Sequence, residues 1–173
     1  MTKPPIFWIS GPPAAGKSTL CHALLARFER GICIPVDDLR TWVLAGIAES
    51  VPWTDETERQ FRIAEVAVCD VARRYHEAGF AVAIDHCRNP ARLNDVIAES
   101  GLEMIKILLM PELATNLHRS HTRTNKTFDA HWLDDTIKFT NDRYRLDVTP
   151  DWLVIDNTAL SVEETIERAM SRM

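Results

Sequence analysis

The 173 residues predict an α/β fold, a parallel sheet covered by helices on both faces, folded as a single domain. Apolar runs rich in bulky or β-branched residues recur at 6–9, 32–36, 80–84, 104–110 and 152–155. Helical periodicities separate them. The runs are near-continuous rather than alternating, which is the pattern of strands buried on both faces.

The elements follow in order. The run from Ile6 to Ile9 stops at a Gly/Pro/Ala loop, and after Lys17-Ser18 the apolar residues return at Leu20, Ala23, Leu24 and Phe28, a helix over 17–28. The second strand leads into "DDLRTW", where Asp38 is expected to cap a short helix through Trp42. A long helix over about 56–78 carries Phe61, Ala64, Val68, Val71 and Tyr75 on one stripe, with Gly79 at its C-terminal cap. The third strand ends at Asp85. Asn89-Pro90 then supplies an N-cap and first turn for a helix over 90–100, closed by Gly101. After the fourth strand one or two helical pieces fill 111–145, and Ser161 with Glu164 forms a capping box before the last helix.

In parallel sheets ligands sit at the carboxyl ends of the strands. That rule selects Gly11 to Ser18, Asp37-Asp38, Asp85-His86, Pro111 and Asp156-Asn157.

Composition narrows the classes further. At 46% hydrophobic and 26% charged, with no apolar run near 18 residues, the chain reads as soluble and globular. Its N-terminus lacks the succession of a signal peptide, so a cytoplasmic location is expected. Cys21, Cys33, Cys69 and Cys87 form no C-x-x-C pair and read as buried thiols rather than disulfides or zinc ligands. A net charge of −5 disfavours a broad nucleic-acid surface, although residues 117–126 carry Arg119, Arg123 and Lys126 without an acid.

The strongest chemical signal is G-x-x-x-x-G-K-[ST], Gly11 to Ser18, placed between a strand and a helix. Backbone N–H groups there face a phosphate, Lys17 adds positive charge, and Ser18 offers a hydroxyl to Mg²⁺. Asp37, at the binding edge, can take a proton from an acceptor hydroxyl or help hold the metal. Neighbouring strand residues point to opposite sides, so only one of Asp37 and Asp38 is expected to face the phosphate. Asp85 after "FAVAI" occupies the position of a Walker-B aspartate, and the next residue is His86 rather than the glutamate of motor ATPases. Arg119 and Arg123 share a helix face and can neutralise transferring charge. His118 and His121 lack a third ligand and read as surface residues. Trp42, Trp53, Trp132 and Trp152 read as core or groove wall. A GTPase is disfavoured, because "NKTFD" at 125–129 is one residue too long for N-K-x-D and "DHCR" fails as D-x-x-G.

The ordered set "GPPAAGKST", "DDLR", "IDHCRNPAR" and "MPELATNLHRSHTR" resembles the P-loop kinases, in particular the 5′-hydroxyl polynucleotide kinase domain and its zeta-toxin and chloramphenicol-phosphotransferase relatives. The resemblance implies a three-layer α/β/α P-loop NTPase fold, sheet order 2-3-1-4-5, with a small helical lid at about 115–130. It implies an ATP- and Mg²⁺-dependent kinase. Nucleotide contacts would be Gly11, Pro12, Pro13, Ala14, Ala15, Gly16, Lys17, Ser18 and Thr19 with Arg119 and Arg123, and metal contacts Ser18 and Asp85. Asp37 would be the general base, Arg40 the grip on an acceptor phosphate, and Asp85, Arg88 and Arg92 further acceptor-site residues. Lys17, Asp37 and Arg123 would carry the chemistry.

Ala14 and Ala15 depart from the Gly and Ser usual in polynucleotide kinases. The acceptor would be a short nucleic acid or, alternatively, a small molecule such as a sugar or antibiotic. The competing class is a nucleotide-binding regulatory module that transfers nothing.

Overall fold

The computed structural model describes residues 3–122 and 133–173. Strands β1 (Ile6–Ser10), β2 (Gly31–Pro35), β3 (Ala81–His86), β4 (Ile105–Leu109) and β5 (Leu153–Ile155) form a parallel sheet in the order β2-β3-β1-β4-β5. The helices are α1 (Lys17–Leu25), α2 (Val36–Arg40), α3 (Asp55–Glu77), α4 (Pro90–Ser100), α5 (Leu113–Thr122), α6 (Asp134–Asp147) and α7 (Val162–Met170). The expected sheet order and layer architecture are both observed.

Two cores cover the sheet, and strand alternation distributes residues between them. Ile6 and Trp8 of β1, Val82 and Ile84 of β3, and Leu108 of β4 pack with Ala64, Val68 and Ala72 of α3 and Leu93, Val96 and Ile97 of α4. Phe7, Ile9, Ala83, Ile107 and Leu109 face the other way, onto Leu20, Cys21 and Leu24 of α1 and Ile166 and Ala169 of α7. Side chains of α6 tie down the chain just beyond the carboxyl ends of β3 and β4. Asn141 Nδ2 donates to the Pro111 carbonyl at 3.0 Å, and Asn89 Nδ2 donates to Asp147 at 2.7 Å.

Several boundaries move from their expected places. β2 ends at Pro35, which has no N–H to continue a ladder and becomes the N-cap of α2. Asp38 is therefore inside the first helical turn and is not a cap. Likewise Asp37 is helical, so the opposite-sides argument for this pair does not apply.

On α3 the buried stripe runs Thr57, Phe61, Ala64, Glu65, Val68, Cys69 and Ala72, while Val71 and Tyr75 lie at its exposed margin. Tyr75 packs edge-on against Phe80 at 5.3 Å instead of entering the core. Trp8 and Trp152 are core residues, whereas Trp42 is 73% exposed and forms neither core nor groove wall. Trp132 lies outside the described residues. The four cysteines are free thiols, of which Cys21 and Cys69 are buried as expected and Cys33 and Cys87 only partly so. Among the described residues no helix is long and apolar enough to cross a membrane.

Where β1 ends, the chain must turn close over the end of β4. A Cβ on Gly11 would lie 2.6 Å from the Leu109 carbonyl oxygen, and the residue adopts φ 155°. Gly11→Ala is expected to lower unfolding free energy by about 1–3 kcal/mol, as for a forced overpacking. Urea denaturation checks this; a change under about 0.5 kcal/mol would show that the loop can relax around the methyl.

Candidate active site

After Gly11 the loop tightens through Ala14, at φ 63°, to Gly16, at φ 98°. Gly16 is the N-cap of α1 and contributes no side-chain cap, so the first N–H groups of the helix are left facing the groove. Lys17 folds back over its own loop and donates from Nζ to the carbonyls of Gly11 at 3.1 Å and Pro12 at 2.9 Å. On the far side Asn157 Nδ2 donates to the Ala15 carbonyl at 3.0 Å, pinning the loop to the end of β5.

Register then places the carboxylate. Asp85 pairs with Ile9 and Pro35 across the sheet and, like Ala83 two residues before it, faces α1. There it accepts a hydrogen bond from Ser18 Oγ at 2.5 Å. His86 takes the opposite face. It is 1% exposed, and its Nε2 lies 3.0 Å from Oε1 of the equally buried Glu65 on α3. The alternation expected of Asp37 and Asp38 is thus realised by Asp85 and His86.

Asp37 and Asp38 are both exposed and both line the groove. Arg40, one turn on, is 9% exposed. Its Nη2 donates to the Ala48 carbonyl at 2.7 Å, its Nη1 to Ser50 Oγ at 3.3 Å, and its guanidinium sits 3.8 Å from the centre of the Phe61 ring. Burial pulls its pKa down, against the opposing pull of Asp37 and Glu49.

Arg88 is fixed as firmly. Nε donates to Glu65 at 3.1 Å, Nη2 donates to Glu58 at 2.5 Å, and its carbonyl accepts from Ser10 Oγ. The Arg88 guanidinium holds the Glu58 carboxyl below the usual carboxylate range. Cys87, between these groups, has its thiol pushed up, chiefly by burial, and is no nucleophile near neutrality. Arg92 is exposed on the rim.

At the other end of the groove stand Arg119, Asn157, Leu160, Val162 and Thr165. Arg119 Nη2 donates to the Asn157 carbonyl at 2.9 Å. Arg123, with the rest of the expected lid to residue 130, lies outside the described residues.

Sequence reasoning placed Trp53 as core or groove wall, which it is, but passed over Glu58, Phe61 and Tyr144 in the groove lining and Glu65 behind it. Glu65 alone left a sequence signal, a carboxylate inside the apolar stripe of a long helix.

One continuous groove of about 1640 Å³ joins Lys17, Ser18, Asp85, Asp37, Arg88 and Arg119. Ser18 and Asp85 fit Mg²⁺. They present hard oxygen donors beside the phosphate loop, and Asp85 has no cationic partner among the described residues. Mg²⁺ commonly takes one or two protein oxygens and completes its shell with water and phosphate.

The same fold is found in solved structures of small kinases. The chain is similar to the tunicamycin resistance protein of Deinococcus radiodurans, with 16% identity over 98% of this chain and 95% of that one and a TM-score of 0.68. It is also similar to a sugar kinase from Janibacter sp. HTCC2649 (19% identity, 97% and 93% covered, TM-score 0.70) and to a gluconokinase from Sinorhizobium meliloti 1021 (17%, 99% and 92%, 0.68). No protein-family model matches the sequence, and no curated protein matches it.

Glu65 is the shared acceptor for two buried donors, and its removal leaves both uncompensated. Glu65→Ala is expected to destabilise the protein by about 3–5 kcal/mol, in line with breaking a buried pair. Chemical denaturation measures it; a loss near 1 kcal/mol would mean that water or Glu58 takes over.

Proposed function

We propose that this chain is an ATP-dependent kinase, one domain over 1–173, that moves a γ-phosphoryl group onto an acceptor hydroxyl. The observation that carries this is the continuity of the groove. Small-ligand sites occupy roughly 300–1,000 Å³. This one has the volume for a donor and an acceptor, with the phosphate loop along one part and Asp37 along another.

Donor phosphates are held by the loop N–H groups and the uncapped start of α1. Lys17 exchanges its two carbonyl partners for phosphate oxygens. Mg²⁺ held by Ser18 and Asp85 would neutralise β- and γ-phosphate charge. Asp37 accepts the proton of the acceptor hydroxyl, whose oxygen forms a bond to the γ-phosphorus. The bond from that phosphorus to the bridging oxygen breaks, and the electron pair leaves with ADP. Arg119 and Arg123, at the lid of about 115–130, stabilise the transferring charge.

Of the two acceptor classes that the sequence raises, we favour the small molecule over a polynucleotide 5′-hydroxyl. The polynucleotide reading asks Arg40 to grip a phosphate, and in this structure its guanidinium is engaged with Ala48, Ser50 and the Phe61 ring.

Binding and chemistry separate by substitution. Lys17→Ala is expected to weaken binding of a non-hydrolysable ATP analogue about tenfold or more, whereas Asp37→Asn leaves that affinity within about twofold and lowers turnover by roughly 10²–10⁴. Calorimetry and a coupled ADP assay read the two effects. Equal loss of nucleotide affinity in both variants would remove Asp37 as the base, and undiminished function in Asp37→Asn would favour the non-catalytic module.

A further inference from the structure

Residues 41–54, between α2 and α3, form no regular element, yet their backbone is held by side chains. Arg40 Nη2 and Gln60 Nε2 donate to the carbonyls of Ala48 and Gly46 at 2.7 and 2.8 Å. Gln60 Oε1 accepts from the Ala48 N–H at 2.9 Å, and Thr57 Oγ1 donates to the Glu49 carbonyl at 2.8 Å. On this fixed backbone Ile47, Val51 and Trp53 stay exposed and line the groove. Exposed apolar side chains gathered in a groove mark a binding surface.

Trp53 is the most constrained of them. Its Nε1 donates to Glu58 at 3.1 Å, and its ring stacks on Phe61 at 5.0 Å with an 11° tilt. The Arg88 guanidinium lies 4.7 Å from the indole and 5.6 Å from the Phe61 centre. Were Arg88 and Phe61 on opposite faces of the indole, their separation would approach the sum of their distances to it. It is little more than either, so they share one side. Trp53 is nevertheless 47% exposed and lines the groove together with Phe61 and Arg88, which leaves its opposite face open to a ligand.

Charge bounds what can lie there. Arg88 is already paired with Glu58 and Glu65, and Arg143 with Asp147, while Arg92 stands exposed on the rim. Asp37 and Asp38 are exposed beside them. Such a lining suits a ligand of little or no charge and repels a polyanion.

We propose that Trp53 is the acceptor platform and that the acceptor is a small alcohol carrying a planar unsaturated ring, stacked on the free indole face with Ile47 and Val51 along its edge. This rests on the kinase reading above and adds the substrate class. A planar ring meets the indole across its whole face, whereas a puckered saturated ring touches it at a few atoms.

The test is binding, read separately from turnover. Protein labelled with 5-fluorotryptophan is titrated with uridine and 5,6-dihydrouridine, and with 2-phenylethanol and 2-cyclohexylethanol, with and without a non-hydrolysable ATP analogue. The Trp53 fluorine signal is identified by its loss in Trp53→Phe. Uridine or 2-phenylethanol should shift that signal and leave those of the core residues Trp8 and Trp152 in place, with the saturated partner binding at least about fivefold more weakly. Trp53→Ala and Trp53→Leu should each weaken planar-probe binding about tenfold or more, the scale of losing a stacking partner, and Trp53→Phe should keep most of it.

Equal binding of planar and saturated probes overturns the proposal. So does an unmoved Trp53 signal up to the solubility of the planar probes, undiminished binding in Trp53→Leu, or tighter, steeply salt-dependent binding of a 5′-hydroxyl oligonucleotide. Failure to bind the ATP analogue, with ring selectivity intact, would instead count against the kinase reading alone.

Discussion

Consecutive side chains at the end of β3 point to opposite faces of the sheet, and both parts of the groove depend on that. Asp85 goes to the face of α1, where it meets Ser18 beside the phosphate loop. His86 goes to the face of α3, where with Arg88 it converges on Glu65. A one-residue slip of β3 against β1 would exchange the two, burying the carboxylate against Glu65 and leaving the loop with an imidazole. The near-continuous apolar packing of β1 and β3 on both faces fixes this register.

The second face is costly to assemble, and its cost is informative. A carboxylate 1% exposed is tolerated because two donors converge on it, and Arg88 is tolerated because two carboxylates and two rings surround it. The network holds Trp53, Phe61 and Arg88 in fixed relation and so gives the proposed acceptor end a rigid wall. By contrast the proposed donor end is built from main-chain groups, and Lys17 rests there on the carbonyls of Gly11 and Pro12.

Much of this was legible in the sequence because local and tertiary signals agreed. The strands, the loop from Gly11 to Ser18, the caps at Asn89 and Ser161 and the turn at Gly101 all follow from short-range chemistry, and the structure places them as read. Asp38 failed as a cap because Pro35 ends the strand one residue earlier than apolar character implied and starts the helix there. Val71 failed as a core residue because a 3–4 spacing fits several adjacent helix stripes, and the sheet chooses among them. Trp53 was read as core or groove wall and lines the groove, whereas Phe61 was not visible there because its partners, Arg40 and Arg88, arrive from other elements. Glu65 was visible in principle, and only the fold reveals that His86 and Arg88 meet it.

Direct transfer requires that one groove bring a nucleotide and a hydroxyl acceptor together. Phosphorus NMR of the protein with ATP, Mg²⁺ and planar-ring alcohols tests it most directly. The account predicts a new phosphomonoester signal growing in equal amount with ADP. ATP left intact throughout, or ADP appearing with inorganic phosphate and no ester, would contradict it.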